Sequence, residues 1–378
     1  MIYLDNSATT VPDQSVLDTF NKVSKSFFGN PSSLHNLGGT SEKLYGKIRT
    51  QAASLLNVNF DEIIFTSGGT EGNNLALTGI VGAYKQRGNH IITTEIEHAS
   101  VYETCKRLEV KGFAVTYLKV DSDGLIDIEE LKSALTDQTI LVSIMHVNNE
   151  IGSVQPIKEI GDLLKEYPKA YFHVDAVQSF GKIPLNINEN SIDLLTISGH
   201  KIHGLKGTGL LYLKKSVQLV PLFSGGGQEL GYRSGTENLA GQAGLVRAMR
   251  LAMEKEESKN NLLRLKAQII TSLEKRRDIF INTPKLSAPH IVHFSIMGIK
   301  PETIIHALAE HNVYVSTQSA CSSKSEDLSR VLLACGHDEE RSRTGIRVSM
   351  SYYTTENEVN KFIHVLHSEI DKIREMLR

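Results

Sequence analysis

No run of about 18 apolar residues, the minimum for a helix that spans a bilayer, occurs in the 378-residue chain. The charges nearly cancel, 41 Lys and Arg against 43 Asp and Glu, so nothing in the balance favours nucleic acid or a membrane surface. The opening MIYLDNSATT has no basic stretch leading into an apolar one, and no targeting segment is expected. Low-complexity tracts and fixed-period repeats are absent, which excludes a solenoid. Cysteine is scarce as well. Three cysteines, far apart and without a CxxC or CxxH grouping, make neither a disulfide framework nor a zinc knuckle, and a reducing cytoplasm is the expected compartment.

What is present is ordinary for a globular protein: 40% hydrophobic and 22% charged residues, enough chain for two domains of about 150 residues or more. From about residue 60 to 215, short β-branched runs (EIIFT, HIITTEI, AVTYLKV, ILVSIMHV, AYFHV, LLTIS, GLLYL) alternate with amphipathic stretches such as Leu75 to Lys85 and Ile157 to Glu166. The alternation predicts an α/β fold with a mainly parallel sheet and helices on both faces. Near Met253 the pattern changes. EKEESKNNLLRLKAQIITSLEKRR predicts a long helix, after which HIVHFSIMG, VYVST and GIRVSMS predict the strands of a smaller α+β domain. A last helix is marked by Thr355 and Glu358 in capping-box register and by apolar Val359, Ile363, Leu366, Ile370, Ile373 and Leu377. The expected division is a large domain over 13–255 and a small one over 1–12 and 256–378, the first dozen residues joining as a strand or arm.

The polar residues at the strand ends are where ligands of such sheets bind. After EIIFT, Ser67-Gly68-Gly69-Thr70 opens a helix, either as an ordinary tight turn or as an anion site built from free backbone N–H groups. It is neither a Walker loop nor a GxGxxG. HIITTEI leads to Glu97 and His98, ILVSIMHV to Asn148, Asn149 and Glu150, AYFHV to Asp175 and Gln178, and LLTIS to Gly199-His200-Lys201. An acid and a lysine at apolar strand mouths must be paired or bound to something. Asp175 and Lys201 form either a direct salt bridge or the two sides of a pyridoxal phosphate site, in which a lysine forms a Schiff base and a carboxylate holds the pyridinium nitrogen. His200 and His203 lack clustered carboxylates, so no metal is expected, and Ser198 and His200 read better as phosphate donors. Arg347 shares a strand face with Ser349 and Ser351, opposite Ile346, Val348 and Met350; it is either a solvated strand residue or a bidentate clamp for a carboxylate. Cys105 and Cys335 sit in apolar settings and read as core. Cys321, in STQSACSS, sits in a polar one.

In order and across nearly the whole chain, YLDNSATT, GNPSSLH, TSGGTEGNN, the EH at 97–98, HVNNEIG, HVDAVQ, SGHKIHG, YRSGTEN and SACSS resemble the pyridoxal-phosphate cysteine desulfurases of the NifS/IscS-like group, in class V of the aminotransferases. The resemblance implies fold type I, a homodimer, L-cysteine as substrate and pyridoxal 5'-phosphate as cofactor. It makes Lys201 the cofactor lysine, Asp175 the partner of the ring nitrogen, Gln178 of the ring hydroxyl, and His98 a ring-stacking proton shuttle. Gly69, Thr70, Ser198 and His200 become the phosphate cup, Thr236 the residue reaching the other subunit's phosphate, and Asn149 and Arg347 the holders of the substrate carboxylate. Cys321 becomes the persulfide-forming nucleophile. The alternatives are a class-V aminotransferase or a selenocysteine-lyase-like enzyme acting on another amino acid. Asn6 and Ser7 depart from the family pattern, which usually has an aromatic residue and alanine after the first aspartate. The sulfur acceptor is expected to be a tRNA-thiolating sulfurtransferase or an iron–sulfur scaffold, the former preferred because the chain stops at Arg378, directly after its last helix.

Overall fold

The computed structural model describes residues 1–317 and 328–377. In chain order its strands are β1 (Ile2–Tyr3), β2 (Ile63–Thr66), β3 (His90–Thr94), β4 (Ala114–Leu118), β5 (Thr139–Met145), β6 (Tyr171–Asp175), β7 (Leu194–Ser198), β8 (Gly209–Leu213), β9 (Ile279–Ile281), β10 (Ile291–Ile296), β11 (Val313–Tyr314) and β12 (Gly345–Ser349). The seven runs picked out between residues 60 and 215 form one sheet in the order β2-β8-β7-β6-β5-β3-β4. Pairing is parallel from β4 through β7 and antiparallel where β8 joins β7 and β2.

Successive side chains of a strand point to opposite faces, and here both faces are apolar. Ile63 and Phe65 belong to one core cluster and Ile64 to another; Ile92, Val142 and Leu195 share the first, Ile91, Leu141 and Leu194 the second. The helix Gly69–Tyr84 covers the second face with Leu75, Ala76, Leu77 and Ile80. At roughly 1.5–3 kcal/mol for each fully buried Leu, Ile or Val, this double burial makes the strands read as unbroken apolar runs. A sheet covered on both sides keeps its ligands at the strand ends, where the polar residues begin.

A second core gathers around β10, paired antiparallel with β9 and β12. Residues of the N-terminal arm join it: β1 pairs in parallel with β11, Ile2 against Val313, and Ile2 and Leu4 pack with Val292, Phe294, Ile346 and Val348. The helix Glu356–Met376 begins with the capping box, Thr355 N donating to Glu358 Oε2 at 2.8 Å. Its buried face holds Val359, Leu366 and Ile370 along with Phe362 and Val365, which the apolar spacing did not pick out, whereas Leu377 lies past the core and is exposed. The polar face of β12 does not meet solvent. Arg347 is 1% exposed because that face looks across a cleft towards the ends of β5 and β6. Among the described residues, no helix is long and apolar enough to cross a membrane.

Candidate active site

Gly69, Thr70, His98, Asn149, Asp175, Gln178, Ser198, His200, Lys201 and Arg347 all line one cleft of about 170 Å³. Cys321 lies outside the described residues. Thr236 is exposed and does not line this cleft; its neighbours Gly235 and Glu237 line a separate hollow of about 80 Å³.

Asp175 ends β6 and is fixed from two sides. Asn73 Nδ2 donates to its Oδ2 at 2.7 Å, and the Val177 amide donates to Oδ1 at 2.9 Å. Lys201 closes the short turn Gly199–Lys201 that follows β7, and its Nζ donates to the carbonyls of Ala8, at 2.8 Å, and Ser7. The turn is tight enough to need glycine: a Cβ on Gly199 would stand 2.3 Å from Thr208 Oγ1. The Gln178 amide donates to Ser7 O at 3.0 Å. The arm is therefore a wall of the site, and acid and amine are each held by other groups.

The helix Gly69–Tyr84 starts in the cleft. Its N-cap, Gly68 (φ +155°), carries no capping side chain, so the first N–H groups and the helix dipole face the space beside Ser198. A Cβ on Gly69 would come within 2.8 Å of Val177 Cγ2, which is why the loop needs glycine there. At the opposite end, the Arg347 guanidinium enters from β12. Nη1 donates to Asn149 O at 2.8 Å, and Nη2 meets Asp5 Oδ1 at 3.1 Å.

His98 caps the helix Ala99–Val110, its Nδ1 accepting the Ser100 amide at 3.1 Å. Burial, reinforced by Lys201 and Arg330 and opposed by Asp175, holds its pKa below the usual value. The ring is thus neutral at pH 7. With Nδ1 acting as acceptor, its proton is assigned to Nε2. Burial and the lysine charges push His200 down to about 4.

Buried polar atoms normally find partners. Around this cleft several do not: Ser7 Oγ, Asn73 Oδ1, Gln178 Oε1, Ser198 Oγ and Arg347 Nε have no hydrogen-bond partner among the described residues. Such a concentration in one cavity marks a site built for a polar ligand. Asn73 and Ala8 were not singled out in the sequence, and Ser7 was noted only as a departure from the family pattern, not as a residue of the site. Asn73 left a faint signal as a polar residue one turn inside an apolar helix, but Ser7 and Ala8 act on Lys201 through backbone carbonyls that no residue pattern reveals.

Glu97, beside His98, is wholly buried. Its Oε1 accepts from the Met145 amide at 2.9 Å and from Thr94 Oγ1 at 3.0 Å. Burial, with Asp175 adding, pushes its carboxyl up to about 8 despite those bonds, against about 4.3 in an unfolded chain. Between those values the folded state keeps a proton that the unfolded state has released, so stability contributed by this group is full at low pH and falls as pH rises through the window. Replacing Glu97 with Gln removes the titration and keeps the shape. Urea unfolding from about pH 5 to 8 is expected to show a shallower decline in the variant; a decline equal to that of the wild type would mean that Glu97 is ionised in the folded state.

The sequence pattern of the aminotransferase class-V family matches residues 2–362. A protein named NifS/IcsS homologue, from Lactobacillus delbrueckii subsp. bulgaricus, is 46% identical over 367 residues, covering 96% of this chain and 95% of its own. A protein named cysteine desulfurase IscS, from Clostridium botulinum, is 43% identical over 380 residues, covering 99% of this chain and 96% of its own. A solved structure of a NifS-like protein superposes with a TM-score of 0.92 at 37% identity, covering 98% and 99% of the two chains.

Proposed function

The chain belongs to the class-V aminotransferase family, among its cysteine desulfurases, and we propose that it converts L-cysteine to L-alanine while Cys321 takes up the sulfur as a persulfide. The observation that carries this reading is the polarity of this cleft: amine and acid at strand ends, a helix N-terminus with a serine on one side, and a guanidinium nitrogen on the other, the serine and the nitrogen both unpartnered among the described residues.

The residues fit pyridoxal 5'-phosphate. Gln178 Oε1 and Ser198 Oγ lack partners among the described residues, and the Gly68-Gly69 turn leaves open a space that a side chain would close. Asp175 would hold the ring nitrogen, Gln178 the ring hydroxyl, and Gly69, Thr70, Ser198 and His200 the phosphate, with Lys201 as the covalent anchor. When bound, the cofactor supplies an electron sink for charge developing on the amino acid.

The rest belongs to the chain. Arg347 and Asn149 bind the substrate carboxylate and so orient the amino acid. Lys201, its Nζ steadied by two carbonyls, moves protons at the substrate carbons. His98, neutral and protonated at Nε2, is a second proton carrier beside it. In the sulfur step the substrate Cβ–Sγ bond breaks and an S–S bond to Cys321 forms. The pair of electrons left on Cβ takes a proton, giving alanine and an enzyme persulfide.

We infer further that the enzyme works as a homodimer in the cytoplasm and hands its sulfur to an acceptor protein serving iron–sulfur assembly or tRNA and cofactor thiolation. In support of the dimer, Thr236 stands exposed outside the cleft of its own chain, and Phe28, Leu34 and Leu37 leave apolar side chains uncovered.

The test is an assay of the cofactor-loaded protein with L-cysteine and a thiol reductant. Alanine and sulfide are expected in equal amounts. 3-Mercaptopyruvate formed only when a 2-oxo acid is supplied, with no sulfide, would replace this reading by an aminotransferase.

A further inference from the structure

Arg347 reaches the cleft with much of its donor set already engaged. Besides Asn149 O, its Nη2 donates to Ser316 Oγ at 2.9 Å and lies 3.1 Å from Asp5 Oδ1, while Ser316 Oγ donates to the same Asp5 oxygen at 2.8 Å. Nε alone has no partner among the described residues. The group that would bind a substrate carboxylate thus already carries a carboxylate, delivered by the N-terminal arm from 342 positions away.

Asp5 is not needed to aim the guanidinium. Arg347 is 1% exposed and its head is tied to Asn149 O and Ser316 Oγ, so its direction is set by neutral partners. What Asp5 adds is charge. Its own side chain is 19% exposed, and a carboxylate so placed competes with any anion that approaches Nη2 and Nε. A desolvated arginine without that counter-charge would grip every small carboxylate, the product of the reaction as firmly as its substrate. Such uniform binding does not speed turnover.

We propose that Asp5 is a built-in competitor for Arg347: it neutralises the guanidinium between turnovers, weakens the hold on monocarboxylates, and so promotes exchange of amino-acid product for substrate. The inference rests on the reading that Arg347 receives the substrate carboxylate. Ligand binding is an exchange of one carboxylate for another, and the charge at position 5 sets its affinity.

Acetate is the probe. Its inhibition constant against L-cysteine is measured at fixed pH and ionic strength for the cofactor-loaded wild type, Asp5→Asn, Asp5→Glu and Arg347→Gln. A thermal-shift titration with acetate, without substrate, gives a readout independent of turnover. Asparagine keeps an acceptor for Ser316 and Arg347 but lacks the charge. For Asp5→Asn, acetate is expected to bind about five- to tenfold more tightly in both measurements, the scale of relieving one charge-assisted contact, with a parallel fall in KM and no rise in kcat. Asp5→Glu, which keeps the charge, is expected to keep the wild-type acetate affinity in the thermal-shift titration. If Asp5→Asn does not fold by circular dichroism, Asp5→Ser is measured in its place with the same expectation. An unchanged or weaker acetate affinity in the folded charge-free variant overturns the proposal while leaving Arg347 in its role, provided that Arg347→Gln abolishes inhibition. Acetate inhibition untouched by Arg347→Gln places the carboxylate site elsewhere and removes both.

Discussion

Replacing Lys201 with alanine is expected to lower turnover of L-cysteine by about 10³-fold or more, the loss of a covalent anchor and of a proton carrier together. The fold should survive. The side chain is half-buried and its Nζ hangs on two backbone carbonyls of the arm, while the turn itself is shaped by Gly199 and Gly204, whose added Cβ atoms would meet neighbours at 2.3 and 2.7 Å. Removing the ammonium also relieves a like charge. Lys182, wholly buried with Nζ 3.3 Å from Lys201 O, has its pKa pushed down to about 7 by burial and by Lys201. The loss of the hydrogen bonds to Ser7 and Ala8 is thus partly offset, and the melting temperature should move little. Borohydride reduction of the loaded wild type should fix the cofactor on the peptide containing Ser198-Gly199-His200-Lys201. Label on the exposed Lys206 instead, or a Lys201→Ala protein with ordinary turnover, would sink the assignment.

How far the sequence reveals this arrangement depends on what each element must hide. The strands of the large sheet are legible because burial on both faces leaves only apolar residues, and their polar terminal residues stand out by contrast: Asp175, Ser198 and Lys201 are visible as chemistry for that reason. Strand β9 is harder to see, since Ile279 to Ile281 are three residues with Phe280 exposed. The face of β12 shows a different limit. Alternation separates Arg347, Ser349 and Ser351 from the apolar side, yet it cannot tell a face turned to water from one turned to a polar cleft, and Arg347 proves wholly buried. The contacts that hold the site together are long-range. Ser7 reaches Lys201 across 194 positions by its backbone, and Asn73 reaches Asp175 across 102, so no local pattern could announce either pair.

The other large effect concerns the sulfur step proposed for Cys321, and the two described cysteines supply the contrast. Cys105 packs with Val101 and Leu108 beneath the helix Ala99–Val110, and burial, with Glu97 and Glu109 adding, pushes its thiol up to about 12. Cys335 packs with Ile96, Met145 and Ile151, and burial, with Asp121 and Glu150 adding, does the same. A buried thiol raised so far stays protonated at pH 7, and the thiolate is the nucleophile. Both read as core residues rather than sulfur acceptors. Cys321→Ala is therefore expected to abolish protein persulfide and sulfide release while leaving cofactor binding intact, at under about 1 kcal/mol of stability, since its sequence neighbours are small and polar. Cys105→Ala and Cys335→Ala should show the reverse: chemistry kept, stability lowered by about 1–2 kcal/mol as buried volume is lost. Persulfide is read by mass spectrometry of the intact protein, stability by urea unfolding. A Cys321→Ala protein that still forms alanine from L-cysteine at the wild-type rate would show that sulfur leaves the substrate without a cysteine acceptor, and the proposed division of labour among the three thiols would fall with it.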